Sequence, residues 1–499
     1  MNEGFAWGGG PNLSAWETVM WRSYDDPHTR SMGTFVEMLD QEPDWDRLVQ
    51  AHIRGSLQVP RLRERIVEPA VLVGTPAWSP DPNWDVEAHV HRIRLPEPGT
   101  MAQLYEVIAD IHERPLDRAR APWEAVLITG LADGCAAYLF KSHHVVGDGV
   151  AIVQLLELLH SHTREPGSRQ VAQPPPRTTV NPYTLAAKRV AELATGVPME
   201  VARRLPKLPM RFVSNPVRTT TGAVGYVRSF KRQATPPDLE RSPLLKGKGG
   251  LGIRVLTLDV PLASLRAAGK AAGGTINDAY LAGIIGGLRR YHEHFGVKVD
   301  QIPITIPVST RTAANATGGN QFSAVRLIAP LGERDPARRM SQLRDQVRRA
   351  RKEPAIGWLD TASKVLDKLP TPALIELVYT GVARADAQVS SFPGVRWEAY
   401  VAGAKVTGIY VVGPRPGIAM MSTMLSYEGK ACIGFHLDPD AFTDVELLRT
   451  CLLEGFDEVF ALAEPKGEAP ATEAPVAEAS AAQRDQASAA ADHRSGGES

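Results

Sequence analysis

Cysteine is scarce in these 499 residues: Cys135, Cys432 and Cys451 are few, odd in number and far apart. They give neither a disulfide framework nor a zinc ligand set, and they point to a reducing compartment. Net charge is missing too, because 56 basic residues meet 56 acidic ones. No global positive field exists to hold a nucleic acid through its phosphates, so no nucleic-acid partner is expected. Nowhere does the chain run about 18 apolar residues without a charge, which excludes a spanning helix and leaves any membrane contact peripheral. The N-terminus, MNEGFAWGGGPNLSAWE, puts an early acid and glycines where a secretory signal has positive charge and then an apolar stretch. A cytoplasmic location is the expectation.

What the chain does have is core-forming material, with 43% of its residues hydrophobic. A single core stops growing near 250 to 300 residues, so two domains are expected. Residues 1–170 alternate helical and strand patterns: LVQAHIRGSL and MAQLYEVIADIHERPL read as helices, EAHVHRIRLP as a strand. Residues 171–250 change character, with Pro174-Pro175-Pro176, further scattered prolines and a glycine-rich end, KGKGGLG. They read as a basic crossover linker with short helices. A second α/β stretch, 251–463, opens on IRVLTLDV and continues through a helix at NDAYLAGIIGGLRRYHEHF and a strand at IPITIPVS. It also predicts a hairpin turning at Tyr427-Glu428-Gly429-Lys430. Residues 464–499 fall to Ala, Glu, Pro and Ser, with seven acids against three bases, and are expected to be a disordered tail.

Chemistry concentrates in His143-His144-Val145-Val146-Gly147-Asp148-Gly149. Upstream, CAAYLFKSHH has strand character, and strand alternation sends the two histidines to opposite faces. Downstream, Ile152, Leu155, Leu156 and Leu159 share one helical face, so the motif occupies a strand-to-helix turn. A neutral imidazole titrates near neutral pH and can take a proton from an attacking hydroxyl, which makes His144 a candidate general base for acyl transfer. Asp148 is a candidate for a buried ion pair that shapes the turn, while Gly147 and Gly149 remove side chains where backbone bends or substrate passes. The competing reading is a satisfied core pair of histidines at a strand end.

Further blocks resemble the bacterial wax ester synthase/diacylglycerol acyltransferase family, within the wider group of CoA-dependent acyltransferases sharing HHxxxDG. The resemblance spans residues 13 to 463. Trp84-Asp85-Val86-Glu87-Ala88-His89-Val90 is similar to the family's "FD…HV" strand, and Arg114 to Glu124 to its "RPLDRxRPLWE" block. Gly274-Thr275-Ile276-Asn277-Asp278-Ala279-Tyr280-Leu281-Ala282 resembles "TVNDVVLA"; Pro307-Val308-Ser309-Thr310-Arg311 with Gly319-Asn320-Gln321 resembles "PVSxR…GNQ". Departures are Ser390-Ser391-Phe392-Pro393-Gly394-Val395 in place of "SNVPGP" and Ala121-Pro122-Trp123 in place of "PLW"; both bear on acceptor choice and efficiency. The resemblance implies an α/β fold of two similar chloramphenicol-acetyltransferase-like domains with mixed sheets, and an active site at their seam reached by a channel. It implies acyl-CoA as co-substrate, an alcohol or diacylglycerol as acceptor, no other cofactor, and His144 as the catalytic residue; His143, Asp148 and Gly149 of the same motif join it as candidate catalytic-site residues.

Asn277 and Asp278 are candidate substrate-binding residues, although Thr275 and Asp278 equally fit a capped helix start. The run Gly247-Lys248-Gly249-Gly250-Leu251-Gly252 matches GxGxxG but leads into a strand-like segment, so it reads as a joint and not a dinucleotide site. His89/His91, His160/His162 and His292/His294 lack a third ligand, and no metal is expected. With no GxSxG elbow and no cysteine beside a histidine, a covalent acyl-enzyme has no candidate nucleophile, and direct transfer in a ternary complex follows. From Lys188 to Arg232, ten basic residues face only Glu192 and Glu200, a local balance of +8. This is either a solvated linker face or an attraction for anionic headgroups, at a membrane or lipid-droplet surface, or for CoA phosphates. Rival readings are a related acyltransferase or condensation enzyme with a non-lipid acceptor, and a non-catalytic lipid-binding protein.

Overall fold

The strand-forming runs of this chain gather into two mixed sheets. The computed structural model describes residues 10–70, 75–165, 178–194, 239–246, 250–309, 320, 322–352, 363, 371–382 and 384–464. Most of the expected linker and basic stretch, and the tail beyond Glu464, lie outside the described residues. In chain order the strands are β1 (Met32–Leu39), β2 (Glu64–Val67), β3 (Ala77–Pro80), β4 (Val90–Arg94), β5 (Trp123–Thr129), β6 (Ala136–His143), β7 (Arg254–Pro261), β8 (Ile302–Ser309), β9 (Phe322–Ala329), β10 (Ala387–Phe392), β11 (Tyr400–Val401), β12 (Ala404–Val412), β13 (Met420–Tyr427) and β14 (Lys430–Leu437). The helices are α1 (Ala15–Arg22), α2 (Trp45–Gln58), α3 (Met101–Glu113), α4 (Gly149–Leu159), α5 (Pro182–Ala194), α6 (Leu262–Ala271), α7 (Ile276–His294), α8 (Pro336–Arg351), α9 (Thr371–Val382) and α10 (Val445–Phe460).

One six-stranded sheet has the order β11-β12-β1-β6-β5-β4 and the other β7-β14-β13-β10-β8-β9, with β2 and β3 forming a small separate pair. Each large sheet mixes pair types: β4 runs parallel to β5, and β10 runs parallel to both β13 and β8. Each has its own apolar core, the first built around Trp21, Trp123 and Phe140, the second around Tyr280, Tyr291 and Phe456. The second half of the chain lends β11 and β12 to the first sheet, where β12 pairs antiparallel with β1 from Thr34↔Val412 to Leu39↔Val406. That exchange ties the two sheets into a single unit through Ala463.

The elements follow local chemistry. Helix α3 begins at a Thr100–Gln103 capping box and buries Leu104, Ile108 and Ile111, a stripe at helical spacing. Strand β6 is buried along its whole length because it is central and covered on both faces. Even Lys141 is enclosed there, its Nζ donating to the carbonyls of Ile111 and Arg114 and to Glu124 Oε1 at 2.8 Å. The hairpin expected at 427–430 joins β13 to β14, and Glu428 and Gly429 both take positive φ, 43° and 78°, as a twisted two-residue turn requires.

The glycines inside the second helical pattern have a packing reason. Gly283 and Gly287 of α7 face Gly455 of α10, and a Cβ on Gly455 would lie 2.4 Å from Gly287 N and 2.5 Å from Gly283 O. Alanine in a helix ordinarily stabilises by about 0.5–1 kcal/mol relative to glycine, but backbone atoms cannot yield as a side chain can. We therefore expect Gly455→Ala to destabilise by about 1–3 kcal/mol in urea unfolding, the usual penalty of overpacking. An unchanged or raised midpoint would show that the two helices do not touch this closely.

Candidate active site

Strand β6 ends at His143, opposite Met32 of β1, and the ladder extends one step further as His144 N–H donates to Ser31 O at 2.9 Å. Val145 and Val146, both fully buried, carry the chain through the turn, and Asp148 caps α4 by accepting from Ala151 N at 3.0 Å. The alternation at the strand end sends the paired histidines apart. His143 is fully buried, with Trp21 and Tyr24 meeting it edge-on at 5.4 and 5.0 Å between centroids. Val145 N–H donates to its Nδ1 at 3.1 Å. Burial foremost, and then the neighbouring His144, push its pKa down to about 3, so it stays neutral and holds the turn from behind. His144 goes the other way and lines a cavity.

A residue from the far half of the chain meets it there. His144 Nδ1 lies 2.8 Å from Asn320 Oδ1, and Asn320 Nδ2 donates to His144 O at 2.8 Å and to Glu17 Oε1 at 3.2 Å. A carbonyl and a carboxylate both accept only, so they fix the amide nitrogen toward themselves and the amide oxygen toward the ring. The oxygen needs a donor, so in the neutral ring Nδ1 carries the proton and Nε2 the lone pair. Glu17 is held in turn. Its Oε2 accepts from Ser14 N at 2.8 Å in the capping box of α1, and its Oε1 is 3.4 Å from Arg61 Nη1. Arg61, 2% exposed, also donates to the carbonyls of Val145 and Val146 at 2.8 and 3.2 Å and lies 4.8 Å from the Trp78 ring centre. A buried ion pair thus clamps the turn that carries His144 and the amide that orients its ring.

The cavity has a volume of about 250 Å³ and opens to solvent, and its walls come from both sheets. Trp16, Val19 and Met20 of α1, Phe35 of β1, Pro307 of β8 and Met421 of β13 are among its lining, so its character is apolar. Of the residues singled out in sequence, His144, Asp148 and Gly149 line this space, and His143 does not. Asp148 also serves as the N-cap of α4. Asn277 is exposed on α7 and accepts from Ser391 Oγ at 3.0 Å, which steadies the end of β10. Asp278 is bound up in the capping box of α7, accepting from Thr275 N at 2.8 Å. Glu17 and Arg61 went unmarked in sequence, and Asn320 appeared there only within the GNQ block. Glu17 also completes the capping box of α1.

The other paired histidines have structural partners. His89 stacks on Trp123 and meets its carbonyl at 2.9 Å; His160 meets Glu37 Oε2 at 2.9 Å; His292 meets Ser242 Oγ at 2.7 Å. Among the described residues no group of His, Cys, Asp and Glu is arranged to hold a metal ion.

Known proteins resemble this chain over most of its length. Residues 13–280 match the family described as "Wax ester synthase/diacylglycerol acyltransferase catalytic domain", and residues 318–459 match "WS/DGAT C-terminal domain". A protein of Mycobacterium tuberculosis (strain ATCC 25618 / H37Rv), provisionally named a diacylglycerol O-acyltransferase, is 38% identical over 459 residues, covering 91% of this chain and 92% of that protein. Among solved structures, the wax ester synthase/diacylglycerol acyltransferase from Marinobacter aquaeolei VT8 superposes with a TM-score of 0.57 at 18% identity, over 87% of this chain and 95% of that one. The first condensation domain of the calcium-dependent antibiotic synthetase does so with a TM-score of 0.58 at 17% identity, over 92% and 97%. The last two share the fold.

Buried neutral histidines make stability depend on pH. An unfolded histidine titrates near 6.5, while in the fold His143 and His436 are pushed down to about 3 and His52 to about 4, in each case chiefly by burial. Between those limits the unfolded chain binds protons that the folded one refuses, so stability falls as pH drops below 6.5, by about 1.4 kcal/mol per pH unit for each such group. Asp386, pushed up to about 6 by burial, opposes this between pH 4 and 6. His143→Gln keeps an acceptor for Val145 N–H but cannot take a proton. Its unfolding free energy, followed by urea titration from pH 7 to 4, should therefore fall less steeply by about one proton. A slope equal to wild type would mean that His143 is protonated in the fold.

Proposed function

Because the chain belongs to the wax ester synthase/diacylglycerol acyltransferase family, whose members are O-acyltransferases, we propose that it joins the acyl group of an acyl-CoA to the hydroxyl of a long-chain alcohol or diacylglycerol, with His144 Nε2 as general base. One observation carries the assignment of the base: the Asn320 amide, anchored on Glu17 and the His144 carbonyl, holds the ring in the tautomer whose lone pair is on Nε2. In the proposed reaction Nε2 takes the hydroxyl proton as the oxygen attacks the thioester carbon. The tetrahedral oxyanion collapses, the C–S bond breaks, and the imidazolium returns its proton to the departing CoA thiolate. Nδ1–H donates to Asn320 Oδ1 throughout, which supports the positive charge the ring carries between the two transfers. The apolar walls beside His144 suit aliphatic chains and keep bulk water from competing as acceptor.

The test is release of CoA thiol together with ester from purified protein, acyl-CoA and a long-chain alcohol. His144→Ala should lower turnover by about 10² to 10⁴ with melting close to wild type, as loss of a general base does. Wild-type turnover in that variant would remove His144 from the chemistry. Asn320→Ala should lower kcat by a smaller factor and shift the pH profile of kcat, because the ring loses its fixed tautomer; a change in KM alone would make Asn320 a binding residue.

The acceptor also has to be delivered. Among the described residues no helix is long and apolar enough to cross a membrane, and we place delivery at an anionic lipid surface from the cytoplasmic side, through the basic stretch 188–232. Each well-placed base is worth about 1 kcal/mol at such a surface. Replacing Arg203, Arg204, Lys207 and Arg211 with glutamine should reduce sedimentation with anionic vesicles at low salt more than turnover of a water-soluble alcohol. Equal sedimentation would leave that stretch a solvated linker.

A further inference from the structure

Phe392, the last residue of β10, stands on the cavity wall beside the turn of His144. It reaches across from the second sheet. Its ring centre is 6.3 Å from that of Phe35 in the first sheet, and its tip rests on the first residue of α4, where a Cβ on Gly149 would lie 2.4 Å from Phe392 Cζ and 2.5 Å from Cε1. Gly149 has no positive φ. The absent side chain is therefore a matter of space: the glycine is a slot for the aromatic ring. Ser391, tied to Asn277 Oδ1 at 3.0 Å, and the pairing of Phe392 with Leu425 of β13 fix the strand end that presents the ring. Only half-buried, Phe392 keeps part of its surface toward the cavity.

We propose that Phe392, seated on Gly149, is a specificity-determining wall that limits the bulk of the aliphatic chain lying against the start of α4. This rests on the acyl-transfer reading above. The aliphatic chain can be the acyl group of the donor or the alkyl group of the acceptor, and the two are separated by the arms of the experiment. In one arm the donor is varied from short to long acyl-CoA at a fixed alcohol; in the other the alcohol is varied in length and branching at a fixed donor. Phe392→Val and Phe392→Leu keep an apolar, packed residue at the strand end, and their melting is followed alongside.

In one arm the ratio of kcat/KM for long or branched over short substrates should rise by roughly tenfold or more per methylene newly admitted, which is what one methylene decides in a fitted pocket. The arm that responds identifies the substrate the wall faces. A second measurement isolates the contact. Gly149→Ala in the wild-type background should lower kcat/KM by at least about tenfold, whereas in a Phe392→Ala background the same change should cost less than about threefold, because the ring is no longer there to be displaced. Unchanged ratios in both arms overturn the wall, and an equal cost of Gly149→Ala in both backgrounds overturns the slot. Absence of ester from the wild type with every substrate sinks the acyl-transfer reading instead, so the two failures are distinct.

Discussion

One carboxamide joins the two halves of this fold at the cavity. Asn320 offers its oxygen to the His144 ring and its nitrogen to a carbonyl and a carboxylate, and each of those contacts leaves the others a single orientation. The amide comes from the second half of the chain and all its partners from the first, so the tautomer of His144 is correct only when the two sheets are seated against one another. Glu17 and Arg61 make that seating costly to disturb. They are 5% and 2% exposed, and removing either partner of such a pair leaves a buried charge, at about 3–5 kcal/mol. The capping box of α1, the turn through Val145 and Val146 and the orientation of the His144 ring are thus one connected polar network enclosed in apolar packing.

The paired histidines show how one strand serves two ends. Alternation turns adjacent, chemically identical side chains to opposite sides of a sheet, and surroundings do the rest. His143 meets aromatic edges and one backbone N–H and is held neutral; His144 meets an amide oxygen and a cavity. The cavity itself borrows from both halves, and its aromatic wall at Phe392 depends on a glycine of the same turn. Replacing residues in this turn therefore changes position and space together.

Much of the fold was legible in sequence where the cause is local. Helical stripes such as Leu104, Ile108 and Ile111 locate α3, and the Tyr427-Glu428-Gly429-Lys430 turn announces β13 and β14. The Thr275-x-x-Asp278 spacing reads as a cap and is one. His144 stood out because its motif is contiguous and its strand alternates. Where the cause is distant in the chain, reading stopped. Nothing in AKVTGIYVV says that β12 pairs with β1 and not with its neighbours in sequence. Asn320 stood only inside a family block, with nothing in the sequence to say which ring it faces. Phe392 registered only as a departure from a family block, since the slot it fills belongs to Gly149, in the other half of the chain.

The late strand has a consequence for biosynthesis. β1 lies between β6 and β12, so when residues 32–143 have left the ribosome its outer edge still waits for a partner made at residues 404–412. At ~5–20 residues per second the wait is on the order of 10–50 s. Throughout it the nascent chain carries an open, largely apolar strand edge, the kind of surface that recruits unwanted strands. The cavity, which includes Val411 and Gly413, cannot close before the same moment. Until β12 has been made, the edge of β1 stays open to mispairing, and the proposed site lacks part of its wall.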